Sequence, residues 1–136
     1  MELPACPVEM TLMLIGDKWK VLILRDLMSG TKRFGELKKS IGHVTQKALT
    51  AQLRDMEAKG LLTRKVCAEV PPRVEYTLTA TGYSLRPILD SMVAWGTDYQ
   101  KQNGGAPCHK TACTAEIAAK IPCTQVLGTY TVTFDR

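Results

Sequence analysis

The stretch that most restricts the fold of this chain lies in its middle. Two β-like segments, Leu61–Val66 and Val74–Leu78, are joined by Cys67-Ala68-Glu69-Val70-Pro71-Pro72-Arg73. Adjacent prolines fix φ at two positions and remove two backbone donors, which stiffens the loop toward polyproline II. The expected element is a rigid finger between the strands of a small β-hairpin, not a two-residue turn.

Helical patterns flank this finger. Cys6 falls at an N-cap position with Pro7 at N1 and Glu9 at N3, so a first helix is expected from about Val8 to Ile15. Asp17 caps a second, whose apolar positions Trp19, Leu22, Ile23 and Leu27 share one face, and Gly30 stops it. Thr31–Phe34 is a short extended piece. A third, short helix carries Leu37 and Ile41 inward and Lys38 and Lys39 outward. Gly42-His43 make a tight turn, and Thr45 caps a fourth helix that ends at Gly60 with Leu49, Leu53 and Met56 as its buried stripe. Beyond the finger, one long helix is expected from about Ala80 to Gln102, kinked at Pro87, which cannot donate to the carbonyl of Tyr83. This order is that of a winged helix-turn-helix, a mainly α fold with a small β-hairpin in the α+β class. Residues 1–102 form the expected domain. Residues 103–136, opening with Asn103-Gly104-Gly105, form a C-terminal extension rich in Cys and Thr.

A chain of 136 residues, 45% hydrophobic and 23% charged, builds one core and is not disordered throughout. Apolar runs such as Leu12-Met13-Leu14-Ile15 are too short to span a bilayer, and Met1-Glu2-Leu3-Pro4 lacks a basic region followed by an apolar one. A cytoplasmic location without a membrane partner is therefore expected. The formal net charge is +5, and residues 16–75 hold thirteen Lys and Arg against seven Asp and Glu. The basic surplus thus coincides with the helix-turn-helix pattern and suits a polyanionic partner. No nucleophile, base and orienting residue stand at a recognisable spacing, and His43 and His109 are the two histidines, so neither catalysis nor a cofactor is expected.

A helix that reads DNA needs polar and basic side chains on its outer face near its N-terminus. On a 100° wheel, Lys47, Thr50, Ala51 and Arg54 point away from the buried stripe, with Gln46 at the edge. Gln46 can pair bidentately with adenine, Lys47 can donate to guanine O6 and N7, and Thr50 can meet a base or a thymine methyl. Thr45, Lys38, Lys39 and Arg54 are better placed for phosphates, which position the protein without specifying sequence. Arg73, just past the prolines, can reach an adjacent minor groove.

Cys6-Pro7-Val8-Glu9, Ile15-Gly16-Asp17-Lys18-Trp19, Lys32-Arg33-Phe34, Thr45-Gln46-Lys47, Gln52-Leu53-Arg54, Val70-Pro71-Pro72-Arg73-Val74-Glu75-Tyr76 and Trp95-Gly96 together resemble the HxlR family of bacterial winged-helix transcription regulators, relatives of the MarR group. The resemblance runs through roughly residues 5–100. It implies a homodimer on a near-palindromic double-stranded operator, with the recognition-helix and wing roles falling on Thr45, Gln46, Lys47, Thr50, Arg54 and Arg73. Residues 103–136 do not follow the family pattern.

Two further expectations concern assembly and thiols. Met92, Trp95 and Tyr99 on the last helix, with Met10, Met13 and Leu14 on the first, exceed what a small core can cover, so these two helices are expected to form the dimer interface. Cys6 stands at a helix N-terminus, where unpaired N–H groups favour a thiolate, although Glu9 opposes the effect. The resemblance implies oxidant or electrophile sensing at Cys6, with a small-molecule or oxidant effector; the alternative is a small apolar side chain at the interface, without sensing. Cys67 reads as strand packing. Cys108, His109, Cys113 and Cys123 offer soft ligands without a paired Cys-x-x-Cys spacing, so no metal site is assigned, and a metal-binding or protein-interaction role for the tail is the lesser alternative.

Overall fold

The computed structural model describes residues 2–105. The element order is α1 (Pro7–Ile15), α2 (Lys18–Leu27), β1 (Lys32–Arg33), α3 (Phe34–Ile41), α4 (Gln46–Ala58), β2 (Leu62–Cys67), β3 (Arg73–Leu78), α5 (Ala80–Tyr83) and α6 (Arg86–Gln102). Residues 106–136 of the C-terminal extension, with Cys108, His109, Cys113 and Cys123, lie outside the described residues.

Local chemistry sets most boundaries. Asp17 accepts from the Trp19 N–H at 2.8 Å and opens α2. Glu36 reaches back to the N–H of Arg33 at 3.1 Å and opens α3. The short extended piece is a true strand: β1 pairs with β3, and β3 with β2, giving an antiparallel sheet of order β1-β3-β2. Lys32 opposes Tyr76, and Arg64 opposes the same tyrosine from the other side.

The core forms where α2, α3 and α4 meet one face of this sheet. Ile23, Leu24 and Leu27 of α2, Leu37 of α3, and Leu49, Leu53 and Met56 of α4 are sealed from solvent, with Leu61 and Leu62 closing the sheet side. Each such side chain contributes about 1.5–3 kcal/mol by leaving water. Gly82 fits because nothing larger does: a Cβ there would meet the Leu61 carbonyl oxygen at 2.2 Å. Thr79 secures the same junction, donating its hydroxyl to the Gly60 carbonyl at 2.6 Å and accepting from the Gly82 N–H at 3.2 Å.

Helix α1 has Cys6 at its N-cap and Pro7 at N1, as expected. Three expectations are corrected. Helix α4 ends at Ala58, before Gly60. The long last helix is two helices, broken at Ser84 and Leu85 rather than kinked. Pro87 explains the break, because it sits at the start of α6, where an intrahelical N–H is not required. In the finger, the chain bends at Val70 and Pro71, whose peptide bond is cis, in place of a polyproline II rod.

Candidate nucleic-acid interface

The turn between α3 and α4 is built for tightness. Gly42 holds φ at +87°, a conformation that side chains rarely adopt, and Val44 is buried as an anchor. Thr45 then accepts from the Ala48 N–H at 3.1 Å and starts α4 at the residue expected to cap it. Because Leu49, Leu53 and Met56 face the core, the opposite side of the helix faces solvent. Gln46, Lys47, Ala51 and Arg54 are exposed there, and Thr50 is half-buried.

A concavity of about 360 Å³ separates this helix from the sheet, lined by Phe34, Gln46, Thr50, Arg54, Glu57, Arg64, Val74 and Tyr76. A second depression lies on the outer face of α4 itself, between Gln46, Lys47, Thr50, Ala51 and Arg54. The structure thus gathers Gln46, Lys47, Thr50 and Arg54 into one surface. Lys38 and Lys39, exposed on α3, and Thr45 at the cap line neither hollow.

Arg64 is the side chain that sequence reasoning missed. Alternation puts it on the same sheet face as Leu62 and Tyr76, which reads as an inward position. It is nevertheless exposed, and it lines the cleft opposite Arg54. The missed signal was a cation on the inner face of β2, where a buried charge is costly unless the strand has left the core.

Arg73 is placed differently. Its Nη2 lies 3.9 Å from Cys67 Sγ and 3.4 Å from Glu69 Oε1, and its Nε lies 3.1 Å from Glu75 Oε1. The Cys67 contact, then Glu69 and Glu75, hold its pKa above the ordinary guanidinium value against the effect of desolvation. Cys67 is half-buried at the wing base, as a packing residue would be, with this guanidinium as its neighbour.

Behind the outer face, α4 carries a charged node. Asp55 pairs with Lys20 of α2 and lies 3.0 Å from Lys59 Nζ. Hydrogen bonds from Lys20 and Lys59 hold the Asp55 carboxyl below its usual pKa, outweighing partial desolvation. Lys59 also donates to the Met13 carbonyl of α1 at 3.1 Å.

Cys6 is exposed at the N-cap of α1 and makes no side-chain capping bond. On the helices assigned to assembly, Met92, Trp95 and Tyr99 of α6 face solvent, and the rings of Trp95 and Tyr99 stack at 5.2 Å. On α1 the outward apolar residues are Val8 and Leu12, with Leu3 ahead of them, while Met10 and Met13 are half-buried. Leu14 is half-buried and packs against the core, and Ile15 is buried within it.

Residues 14–104 match the HxlR-like helix-turn-helix family. The chain belongs to that family. Among HxlR-like relatives, it is 49% identical over 98 residues to the HTH-type transcriptional regulator YkvN of Bacillus subtilis (strain 168), covering 72% of this chain and 83% of YkvN. Its fold is similar to that of the redox regulator HypR in its oxidized form, with a TM-score of 0.65 at 46% identity, over 68% of this chain and 96% of HypR. It is also similar to the reduced form of the transcriptional regulator YodB from B. subtilis, with a TM-score of 0.61 at 36% identity, over 76% of this chain and all of YodB. The HxlR-like fold is therefore a winged helix-turn-helix with α3 and α4 as its two helices and the β2–β3 finger as its wing. No helix among the described residues is long and apolar enough to cross a membrane.

Proposed function

We propose that the chain is a dimeric, sequence-specific DNA-binding transcriptional regulator that acts in the cytoplasm and responds to oxidants or electrophiles through Cys6. One observation carries the DNA reading. The outer face of α4 presents Gln46, Lys47, Thr50 and Arg54 to solvent, and neither cation is engaged by a carboxylate among the described residues. Gln46 and Lys47, at the N-terminal end, read base edges in the major groove, with Thr50 beside them. Thr45, Lys38, Lys39 and Arg54 hold phosphates, and Arg64 joins them from the wing across the cleft. Residues 1–102 supply this module, and residues 103–136 extend it.

Dimerisation follows from unpartnered apolar surface. Met92, Trp95 and Tyr99 on α6, with Val8 and Leu12 on α1, are large side chains left in water, and a symmetry mate that covers them places two copies of α4 about 34–36 Å apart on a near-palindromic operator. Trp95→Glu yields monomers with weak operator binding. A mutant that still sediments as a dimer removes Trp95 from the interface.

Thiol sensing is supported by the exposure of Cys6 at the end of the helix assigned to that interface, and by the likeness to regulators described as redox-responsive. A covalent change at Cys6 alters how α1 meets its partner, and so the distance between the reading heads. The decisive experiment is fluorescence anisotropy on DNA upstream of the protein's own gene, with reduced and diamide-treated protein. Tight reduced binding that weakens steeply with salt, changes on oxidation and becomes oxidation-indifferent in Cys6→Ser is expected. Binding that ignores both salt and sequence overturns the DNA reading. Binding indifferent to diamide returns Cys6 to packing.

A further inference from the structure

The node formed by Lys20, Asp55 and Lys59 joins three helices, and one of its bonds does something the core does not require. Helix α1 has no basic residue in its own last turn, so the carbonyls at its C-terminal end lack a local cation. Lys59, one residue past the end of α4, supplies it by donating to the Met13 carbonyl at 3.1 Å while held 3.0 Å from Asp55. Only 19% of the Lys59 side chain remains exposed. A long flexible lysine ordered to this degree loses rotamer freedom that solvent would have left it. The neighbouring turn has no room for a side chain, since a Cβ on Gly16 would meet the Leu12 carbonyl oxygen.

We propose that Lys59 is a positioning residue that ties the recognition helix α4 to the interface helix α1 and thereby sets the half-site spacing the dimer accepts. The inference rests on the dimeric DNA-binding reading above. Its geometry gives the tie leverage. Lys59 is at one end of α4 and Gln46 at the other, about 19 Å apart at 1.5 Å per residue. A tilt of about 10° about the Lys59 end moves Gln46 by roughly 3 Å, close to the 3.4 Å rise of one base step. Val8 and Leu12, the outward apolar residues of α1, precede Met13 on the same helix, so the Lys59 bond links the interface helix directly to the end of the reading helix, beside the packing of Leu14 and Ile15 on the core.

The test uses the full chain and three kinds of duplex: the operator, operators with one base pair added or removed between half-sites, and a single half-site. In Lys59→Met, half-site affinity stays within about twofold of the parent. The preference for native spacing falls by at least about fivefold, the discrimination that one misplaced base contact carries. Lys59→Arg, which keeps a cationic donor, retains the parent's preference, and Lys59→Gln repeats the measurement should the methionine variant fold poorly. Lys20→Met lowers thermal stability by removing the other partner of Asp55, yet keeps the spacing preference because the Met13 bond survives. Undiminished spacing preference in Lys59→Met and Lys59→Gln overturns the proposal. So does an equal loss on half-site and operator, which makes Lys59 a phosphate contact. A parent protein with no spacing preference overturns the dimeric reading itself, a result distinct from either.

Discussion

The outer face of α4 and the base of the wing both carry arginine, but the two are in opposite electrostatic states. Arg54 on α4 and Arg64 at the cleft have no ion-pair partner among the described residues, whereas Arg73 is held by Glu69, Glu75 and the Cys67 sulfur. A free guanidinium gains a phosphate at the cost of water alone. A guanidinium already shared by two carboxylates must give up those contacts first, and its neighbours repel the incoming phosphate. Exposure alone therefore misjudges which basic residues are available to a polyanion; the partners at each one decide.

The largest effect expected from this difference is at Lys47, the exposed cation nearest the N-terminal end of α4. Lys47→Ala costs about 1–3 kcal/mol in operator binding, concentrated on the base pair it reads, if that contact is to a base edge. Measured preferences among operator variants that do not change make it a phosphate contact instead. Next come the two arginines of the cleft. Arg54→Gln and Arg64→Gln each lower the slope of log affinity against log salt by about 0.9, without altering the ranking of operator variants. An Arg64→Gln protein with the parent's salt slope places the phosphate backbone outside the cleft and confines the reading surface to α4.

The inner side of α4 behaves differently from its outer side, because its charges are paired with one another. The Asp55 pKa is depressed by Lys20 and Lys59, so the ionised carboxylate stabilises the fold above the ordinary carboxylate pKa. That stability is lost as pH falls through the lowered value of the folded state. Asp55→Asn is expected to cost about 1 kcal/mol at pH 7, discounted because 40% of the Asp55 side chain is exposed. Urea unfolding of parent and variant should differ at pH 7 and converge as pH falls below the ordinary carboxylate range through the lowered value of the folded state. A difference that persists unchanged across that fall assigns the loss to packing rather than to the charge.

How much of this was legible in the sequence depended on whether the governing interaction was local. Thr45 and Asp17 announced their helices because a capping hydroxyl or carboxylate acts within three residues of itself. Leu49, Leu53 and Met56 were readable because helical period and burial agree, and the outward set on α4 followed as their complement. The pairing of β1 with β3 was not readable, since two residues carry no alternation and the partner lies over forty positions away. The packing of Leu14 on the core was not readable, because nothing local says which side of α1 meets it. Arg64 was missed for a related reason, as its alternation is correct for a strand within the core, but the cleft begins before the strand ends. The ties of Arg73 depend on which way the loop between β2 and β3 brings Glu69 back, and spacing does not fix that.

Arg73 therefore gives the smallest expected effect on DNA and the sharpest test of the contrast. A minor-groove role requires it to leave Glu69 and Glu75, so Arg73→Gln should change operator affinity by no more than about twofold, with little change in salt slope. The consequence belongs in the wing instead, where Glu69 and Glu75 lose the cation between them and β2–β3 amide protons near Cys67 exchange faster. Glu69→Gln supplies the converse: by loosening one carboxylate from Arg73, it should raise operator affinity and steepen the salt dependence if the guanidinium can then reach a phosphate. Should Arg73→Gln instead cost as much as Arg54→Gln, the wing releases its arginine on binding, and the two surfaces differ in the free protein alone.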